Sequence, residues 1–165
     1  IARRKSPSKM ATAQRGTLSL EGIPSARGKR FALVVSEWNA HITDALAQGA
    51  HDTLVLLGVK PEDIEDFTVP GSFELIHGCK VVAASLEYDA VIAIGSVIRG
   101  ETAHFDFVCQ GVTHGIAELN AHGKTPVIFC VLTDDTEQQS LDRCGGKLGN
   151  KGDEAAVAAV KMAQF

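Results

Sequence analysis

Short apolar runs alternate with longer amphipathic stretches from Lys29 onward. Four of the short runs are strand-like: Arg30–Ser36 (RFALVVS), Ile64–Val69 (IEDFTV), Ala90–Gly95 (AVIAIG) and Pro126–Thr133 (PVIFCVLT). Three of them are almost wholly apolar, which is typical of strands buried on both faces of a parallel sheet. The pattern therefore predicts four strands of one buried sheet.

The stretches between and after these runs have helical length and spacing. In the first stretch, apolar residues recur every three or four positions, at Ile42, Leu46, Ala50, Leu54 and Leu57. Gly58 and Pro61 then end the helix. The predicted helices are Ala40–Leu57, Ser72–Leu86, Phe105–Ala121, Thr136–Arg143 and Asp153–Phe165.

Strands that alternate with helices imply right-handed crossovers and a parallel sheet. We therefore predict an α/β, flavodoxin-like three-layer sandwich, with a four-stranded parallel sheet and helices on both faces. A further apolar segment, Leu18–Ile23, has no partner helix. It is predicted to be an N-terminal strand added to the sheet of a neighbouring subunit.

The chain divides into an N-terminal basic tail, residues 1–16, and a single domain, residues 17–165. The tail contains five Lys and Arg side chains with several Ser and Thr and no acid, so it has no hydrophobic reason to fold alone. It resembles the end of an organellar transit peptide, or an expression remnant upstream of Met10. We expect a cytoplasmic protein, and the tail leaves organellar targeting open.

Composition and charge exclude several classes of protein. The chain is 45% hydrophobic and 22% charged, as ordinary globular domains are, and no apolar run reaches the roughly 18 residues of a membrane span. The net charge of -4 comes without the Lys and Arg clusters that nucleic acid requires. The four cysteines have no CxxC or zinc-ligand spacing. We expect free thiols and a small-molecule substrate, with no membrane or nucleic-acid partner.

Polar and glycine-rich segments follow all four predicted strands, where parallel α/β sheets bind their ligands. These segments are Ser36–Asn39 (SEWN), Val69–Glu74 (VPGSFE), Gly95–Phe107 (GSVIRGETAHFDF) and Thr133–Thr136 (TDDT). The pattern predicts one crevice that gathers an aromatic face, an amide, a carboxylate and a histidine. By contrast, the glycine-rich segment Gly145–Gly152, between Arg143 and Lys151, is predicted to be a solvated loop.

Two residues of this crevice have competing roles. Trp38, the only tryptophan, would ordinarily pack in a core, but its place at a strand end beside Asn39 suits stacking on a flat heterocycle. Glu74 follows the turn Pro70–Ser72, so it can cap a helix or bind a ligand. Both alternatives stay open from the sequence.

The segment from Arg99 to Asp106 is the richest in candidate chemistry. A glycine-led loop that enters a helix presents unpaired N–H groups to an anion, which predicts a phosphate at Gly100–Thr102. Glu101 would repel that phosphate unless its carboxylate points elsewhere, and it also stands where a P-loop requires Lys. His104 is one of six histidines, and its place in the first helical turn makes it the candidate for proton transfer.

These motifs together resemble the 6,7-dimethyl-8-ribityllumazine synthase family. The matching features are Trp38-Asn39, VPGSFE, AIGSVIRGETAHFDF, VIFCVLT and RCGGKLGNKG before a terminal helix, spread over about Leu18 to Phe165. The resemblance implies a transferase that condenses 5-amino-6-(D-ribitylamino)uracil with 3,4-dihydroxy-2-butanone 4-phosphate and releases phosphate and water. This is the penultimate step of riboflavin biosynthesis, and the resemblance implies no cofactor and no metal.

The resemblance also implies roles for individual residues. Trp38 would stack on the pyrimidine, with the ribityl chain near Asn39, Ser72, Phe73 and Glu74. Val97 and Ile98 would line the pyrimidine pocket. The phosphate would lie between Arg143 and the loop residues Gly100, Glu101 and Thr102, and His104 would transfer protons. Two departures from the family are Trp38 in place of a more usual phenylalanine, and Leu148 where some members have histidine.

Subunit contacts are a further implication of the resemblance. Phe129, Arg143 and Lys151 would come from an adjacent subunit, so that the site is completed only in a homo-oligomer. Family members form pentamers, some of which assemble as twelve pentamers into icosahedral shells. Arg143–Asn150 contains no insertion of the kind associated with members limited to pentamers, which favours the shell.

Three rival interpretations remain. An archaeal-type riboflavin synthase has a pocket of similar size, but the loop Asn150–Gly152 and the long central block argue against it. A flavodoxin-like binding or phospho-receiver domain would require an acidic pair after the first strand, where only Glu37 stands. A shell protein without catalysis would have no need of His104 and Arg143 together.

Overall fold

A computed structural model of the chain describes residues 18–165. Its main sheet contains four parallel strands in the order β2-β1-β3-β4. The strands are β1 Phe31–Ser36, β2 Ile64–Val69, β3 Ala90–Ile98 and β4 Val127–Asp134. The four-stranded parallel sheet predicted from the sequence is confirmed, whereas the predicted tail, residues 1–16, lies outside the described residues.

Five α-helices connect and follow the strands. They are α1 Ala40–Leu56, α2 Leu75–Ala84, α3 His104–His122, α4 Glu137–Arg143 and α5 Lys151–Met162, and a short 3-10 helix spans Pro61–Asp63. Helix α5 begins two residues earlier than predicted because Asn150 caps it: the side-chain oxygen of Asn150 accepts a hydrogen bond from the Gly152 N–H at 2.8 Å.

The sheet separates two hydrophobic cores, and alternate residues of each strand face opposite cores. Phe31, Leu33 and Val35 of β1 pack with α1 and α5, whereas Ala32 and Val34 pack with α2 and α3. Both faces of the central strands are therefore covered by helices, which explains why these strands are apolar throughout. The result is the predicted three-layer sandwich.

The prediction that Gly145–Gly152 is a solvated loop is wrong, because most of this segment has regular structure. Cys144–Gly146 (β5) and Gly149–Asn150 (β6) form a small antiparallel hairpin. Gly145 and Gly149 have φ angles of 116° and 80°, which only glycine adopts without strain. The Asn150 side-chain amide also donates to the Ala45 carbonyl at 3.0 Å, so the hairpin is joined to α1.

Strand β3 is longer than predicted, and Leu18–Ile23 is not a strand within the chain. β3 continues through Gly95 to Ile98, where it remains paired with β4. Leu20 and Ile23 pack against the edge of the α1/α5 core instead of pairing with β1–β4. The addition of this segment to a neighbouring sheet stays a prediction.

The cysteine thiols behave as small apolar groups. All four are free, and three of them are buried. Burial raises the pKa of the Cys79 and Cys130 thiols to about 12, so neither is a nucleophile at neutral pH. Within residues 18–165, no helix is long and apolar enough to cross a membrane, and no three His, Cys, Asp or Glu side chains are grouped to hold a metal ion.

Candidate functional site

A cavity of about 600 Å³ lies at the carboxyl ends of the parallel strands. Three of the four polar segments that follow the strands line it, and the fourth, Thr133–Thr136, does not. The lining residues are Trp38, Asn39, Ser72, Phe73, Glu74, Ser96, Val97, Ile98, Gly100, Thr102, His104, Phe105, Phe107 and Val108. The cavity therefore combines flat aromatic faces with a few polar groups, as small-molecule sites do.

Trp38 lies at the surface of this cavity and not in the core. Its side chain is 67% exposed, and its backbone N–H donates to the Pro70 carbonyl at 3.1 Å, which joins the end of β1 to the turn after β2. An indole that is held by its backbone and exposed on one face suits stacking on a planar ligand. The core-packing alternative for Trp38 is thereby removed.

Asn39 joins the ends of two neighbouring strands. It adopts a left-handed backbone with a φ of 58° immediately before α1. Its side-chain N–H donates to the Ser96 carbonyl at 3.0 Å, which leaves the amide oxygen available to a ligand. The left-handed conformation is uncommon outside glycine but is tolerated by Asn.

The turn between β2 and α2 is stabilised by Glu74. One carboxylate oxygen of Glu74 accepts a hydrogen bond from the Gly71 N–H at 3.0 Å. The Glu74 side chain makes no capping hydrogen bond to α2; it closes the turn before the helix and also lines the cavity. Phe73, in this turn, is 53% exposed and presents a second aromatic face.

The loop between β3 and α3 presents unpaired backbone donors. Within residues 18–165, the N–H groups of Gly100, Glu101 and Thr102 donate no hydrogen bond, and all three residues are exposed. The positive end of the α3 dipole reinforces these donors, so the loop can bind an anion. Glu101 is not among the residues that line the cavity.

His104 is the first residue of α3 and lines the cavity. Its backbone N–H donates to the Thr102 hydroxyl at 3.4 Å, whereas its imidazole has no hydrogen-bond partner in the described part of the chain. An exposed and unpartnered imidazole can accept or donate a proton to a ligand in the cavity.

Three other predicted site residues, Phe129, Arg143 and Lys151, line a second cavity of about 380 Å³ that shares no residue with the first. Phe129 projects from the edge strand β4 and is 42% exposed. Arg143 donates through Nη1 to the Gln139 carbonyl at 2.9 Å, and Lys151 pairs with Glu154 at 2.8 Å. The structure therefore divides the predicted site residues of one chain into two groups.

Sequence reasoning missed several residues of both cavities. Phe107 is 72% exposed and lines the first cavity with Phe105. Both belong to the segment singled out after the third strand, so an aromatic pair in that polar segment was the available signal. Asp134 lies beside Arg143 in the second cavity, with its carboxylate 3.9 Å from Nε.

Comparisons with known proteins agree with this geometry. Residues 28–165 match the family model described as 6,7-dimethyl-8-ribityllumazine synthase. The chain is 59% identical over 144 residues to a protein of that name from Christiangramia forsetii, covering 87% of this chain and 86% of the relative. It is 53% identical over 158 residues to the same-named protein of Parabacteroides distasonis, covering 94% of this chain and 99% of the relative.

Proposed function

Because the chain belongs to the 6,7-dimethyl-8-ribityllumazine synthase family, we propose that it condenses 5-amino-6-(D-ribitylamino)uracil with 3,4-dihydroxy-2-butanone 4-phosphate. The products are 6,7-dimethyl-8-ribityllumazine, phosphate and water, in the penultimate step of riboflavin biosynthesis, with no cofactor. One observation supports this assignment above others. Within residues 18–165, a single cavity contains the exposed indole of Trp38, the imidazole of His104 without a hydrogen-bond partner, and a loop whose backbone N–H groups donate no hydrogen bond. These groups suit a flat heterocycle, a proton transfer and a phosphate.

The pyrimidine would occupy the part of the cavity beside Trp38. The indole would stack on one face of the ring, and Val97 and Ile98 would supply an apolar lining. The ribityl hydroxyls require polar partners, which are available at Asn39, Ser72 and Glu74, with Phe73 at the margin. Asn39 would offer its amide oxygen, since its N–H group is used by the Ser96 carbonyl.

The phosphate of the ketone would bind at the start of α3. The N–H groups of Gly100, Glu101 and Thr102 would donate to it, and the Thr102 hydroxyl would add another donor. Glu101 would contribute only its backbone, because its carboxylate lies outside the cavity lining. A phosphate held here would place the ketone beside His104.

The chemistry requires alignment and proton transfer more than a protein nucleophile. The 5-amino group of the pyrimidine attacks the ketone carbon, and the resulting carbinolamine loses water to form an imine. Removal of the adjacent proton expels phosphate with the C–O bond electrons, and the resulting enol tautomerises to a ketone. The ribitylamino nitrogen attacks this carbonyl, and loss of a second water closes the ring. His104 would accept and return protons during these steps. Holding both reactants in one cavity converts an encounter in solution into an intramolecular reaction, which supplies most of the acceleration.

A complete site would need two subunits. Phe129, Arg143 and Lys151 line a cavity separate from that of His104, so we propose that they complete the site of an adjacent copy, with Arg143 opposite the phosphate loop. A ring of five subunits repeats such a contact with the same geometry each time. We propose the homopentamer as the active unit, an icosahedral assembly of twelve pentamers as the larger form, and the cytoplasm as the location.

The activity is tested by mixing the purified protein with both substrates and following lumazine absorbance together with phosphate release. We expect product and phosphate to appear at equal rates. Absence of product would overturn the proposed function. A protein that assembles normally but makes no product would instead be a purely structural shell protein.

Sharing of the site between subunits is tested by mixing two impaired variants. One variant combines Trp38→Ala with His104→Ala, and the other is Arg143→Ala. After unfolding and co-assembly at equal amounts, on the order of one quarter of the sites would contain two intact halves if neighbouring subunits share each site. If each chain contained its own complete site, no mixture would exceed the average activity of the two variants.

A further inference from the structure

Arg99 lies at the end of the β3 pairing and begins the loop that leads to His104. Its backbone N–H donates to the Asp134 carbonyl at 3.0 Å. Its Nε lies 2.7 Å from the Asp135 carboxylate, and its Nη1 lies 3.2 Å from the carboxylate of Asp106. The guanidinium carbon is 4.2 Å from the centre of the Phe105 ring, as in a cation–π contact.

These contacts connect the two ends of the phosphate-binding loop. Arg99 precedes the loop residues 100–103, whereas Phe105 and Asp106 belong to the first turn of α3, after the loop. Asp135 fixes the same guanidinium to the segment after β4. At Gly100, the residue that follows Arg99, a Cβ atom would meet nothing within 4 Å, so no neighbouring atom of residues 18–165 packs against the loop on that side.

The same contacts keep the Arg99 guanidinium away from a bound phosphate. The guanidinium already contacts the carboxylates of Asp106 and Asp135 and the ring of Phe105. Arg99 is also not among the residues that line the cavity. Arg99 also neutralises Asp106, which otherwise would place an unpaired negative charge in the first turn of the helix that receives the phosphate.

We propose that Arg99 is a positioning residue for the phosphate loop: it ties Gly100–Thr102 to α3 and β4 without contacting the substrate. This inference rests on the proposed function, because it concerns the binding of the phosphorylated ketone. The contacts of Arg99 are solvent-exposed, with 43% of its side chain accessible, and exposed ion pairs contribute little to stability. Loss of Arg99 should therefore change the loop much more than the fold.

The test compares the parent protein with Arg99→Ala and Arg99→Lys. For Arg99→Ala we expect the KM for the phosphorylated ketone to rise about tenfold, because a displaced loop loses part of its charge-assisted hydrogen bonding to phosphate. The dissociation constant for inorganic phosphate, measured by ³¹P NMR titration, should rise by about the same factor. The KM for the pyrimidine should change less than twofold. Arg99→Lys should recover less than half of the loss, because an ammonium cannot reproduce the planar, stacked contact with both carboxylates.

Asp135→Asn separates positioning from direct contact. If Arg99 positions the loop, Asp135→Asn should weaken phosphate binding by severalfold, and adding it to Arg99→Ala should have no further effect. If Arg99 bound the phosphate itself, Asp135→Asn would release the guanidinium and strengthen phosphate binding, which would overturn the proposal.

Arg30→Ala is the matched control, because Arg30 makes the same kinds of contact at the opposite end of the sheet. Its Nη2 lies 2.9 Å from Glu65, and its guanidinium carbon is 5.2 Å from the Tyr88 ring centre. Phosphate binding should be unchanged in this variant. Equal changes for both substrates in Arg99→Ala, or full recovery in Arg99→Lys, would refute the positioning role.

The failure of this inference can be distinguished from the failure of the proposed function. If the parent protein makes no product, the proposed function fails, and the phosphate titration still reports on Arg99 alone. If the parent protein is active and Arg99→Ala binds phosphate as the parent does, only the role of Arg99 is refuted.

Discussion

The backbone of Gly71 lies directly against the indole of Trp38. A Cβ atom at Gly71 would be 2.7 Å from Cε3 of the ring, closer than any side chain could remain without moving. The backbone N–H of Trp38 also donates a hydrogen bond to the carbonyl of Pro70, the residue before Gly71. The turn after β2 is therefore the surface that supports the one tryptophan of the chain, and glycine is required there for close approach.

Gly71→Ala should displace the indole of Trp38. Because the added methyl group and the ring cannot occupy the same space, we expect the KM for the pyrimidine to rise about fivefold, with a smaller effect on the phosphorylated ketone. Trp38 is the only tryptophan, so the fluorescence spectrum reports its movement directly. Gly100→Ala is the control for the spectrum, since a Cβ atom there meets nothing. An unchanged spectrum in Gly71→Ala would contradict the prediction.

The left-handed backbone of Asn39 predicts different effects for two substitutions. Both Asn39→Gly and Asn39→Ala remove the hydrogen bond to the Ser96 carbonyl, but only alanine strains a backbone with a φ of 58°. We expect Asn39→Ala to be less stable than Asn39→Gly by about 1 kcal/mol. Thermal unfolding at equal protein concentration measures the difference. Equal midpoints for the two variants would show that the backbone relaxes.

The sequence predicted the sheet because its signal is local. A strand such as β1 is buried on both faces and therefore apolar throughout, and that pattern is visible without knowledge of its neighbours. The polar segments after the strands were equally visible, since parallel strands end at the same edge of a sheet. The hairpin β5–β6 was missed because a glycine-rich sequence is typical of both flexible loops and tight turns. In this hairpin, two of the glycines provide the positive φ angles that its backbone requires.

The division of the site into two cavities could not be obtained from spacing alone. The resemblance to a family implied that Phe129 and Arg143 act in another subunit, whereas the patterns of the chain contain no sign of it. The contacts of Arg99 were also invisible, because Asp135 is 36 residues away along the chain. Such pairings depend on the crossover that brings the ends of β3 and β4 together.

The lowered pKa of Asp142 predicts that the folded protein loses stability in acid. Hydrogen bonds from Lys147, at 2.9 Å, and from Gln138 lower the pKa of its carboxyl group below the ordinary value. A lowered folded-state pKa adds stability that is complete above the ordinary value, about 3.9, and is lost as the pH falls through the folded-state pKa. We expect Asp142→Asn to be less stable than the parent at pH 7.

The difference between Asp142→Asn and the parent should shrink once the pH falls below about 4. Thermal midpoints measured from pH 7 down to pH 3 would follow this change. Glu62→Gln is the control, because it removes an exposed carboxylate in the 3-10 helix and should show no such trend. A difference between Asp142→Asn and the parent that stays constant with pH would contradict the assignment.

His104→Ala should slow the reaction without abolishing it. The imidazole transfers protons in the proposed mechanism, and such a contribution ranges from about a hundredfold to about ten-thousandfold. The alignment of the two substrates by Trp38 and the phosphate loop survives the substitution. We expect kcat to fall about a hundredfold, at the low end of that range, and both KM values to stay within about threefold. Added imidazole should restore part of the rate if proton transfer is what was lost. His122→Ala is the matched control, because His122 lies at the other end of α3, about 27 Å away along the helix, where its imidazole pairs with Glu118. Turnover equal to the parent in His104→Ala would remove His104 from the mechanism, and an equal loss in His122→Ala would show that α3 itself, and not the imidazole at its start, is what the reaction requires.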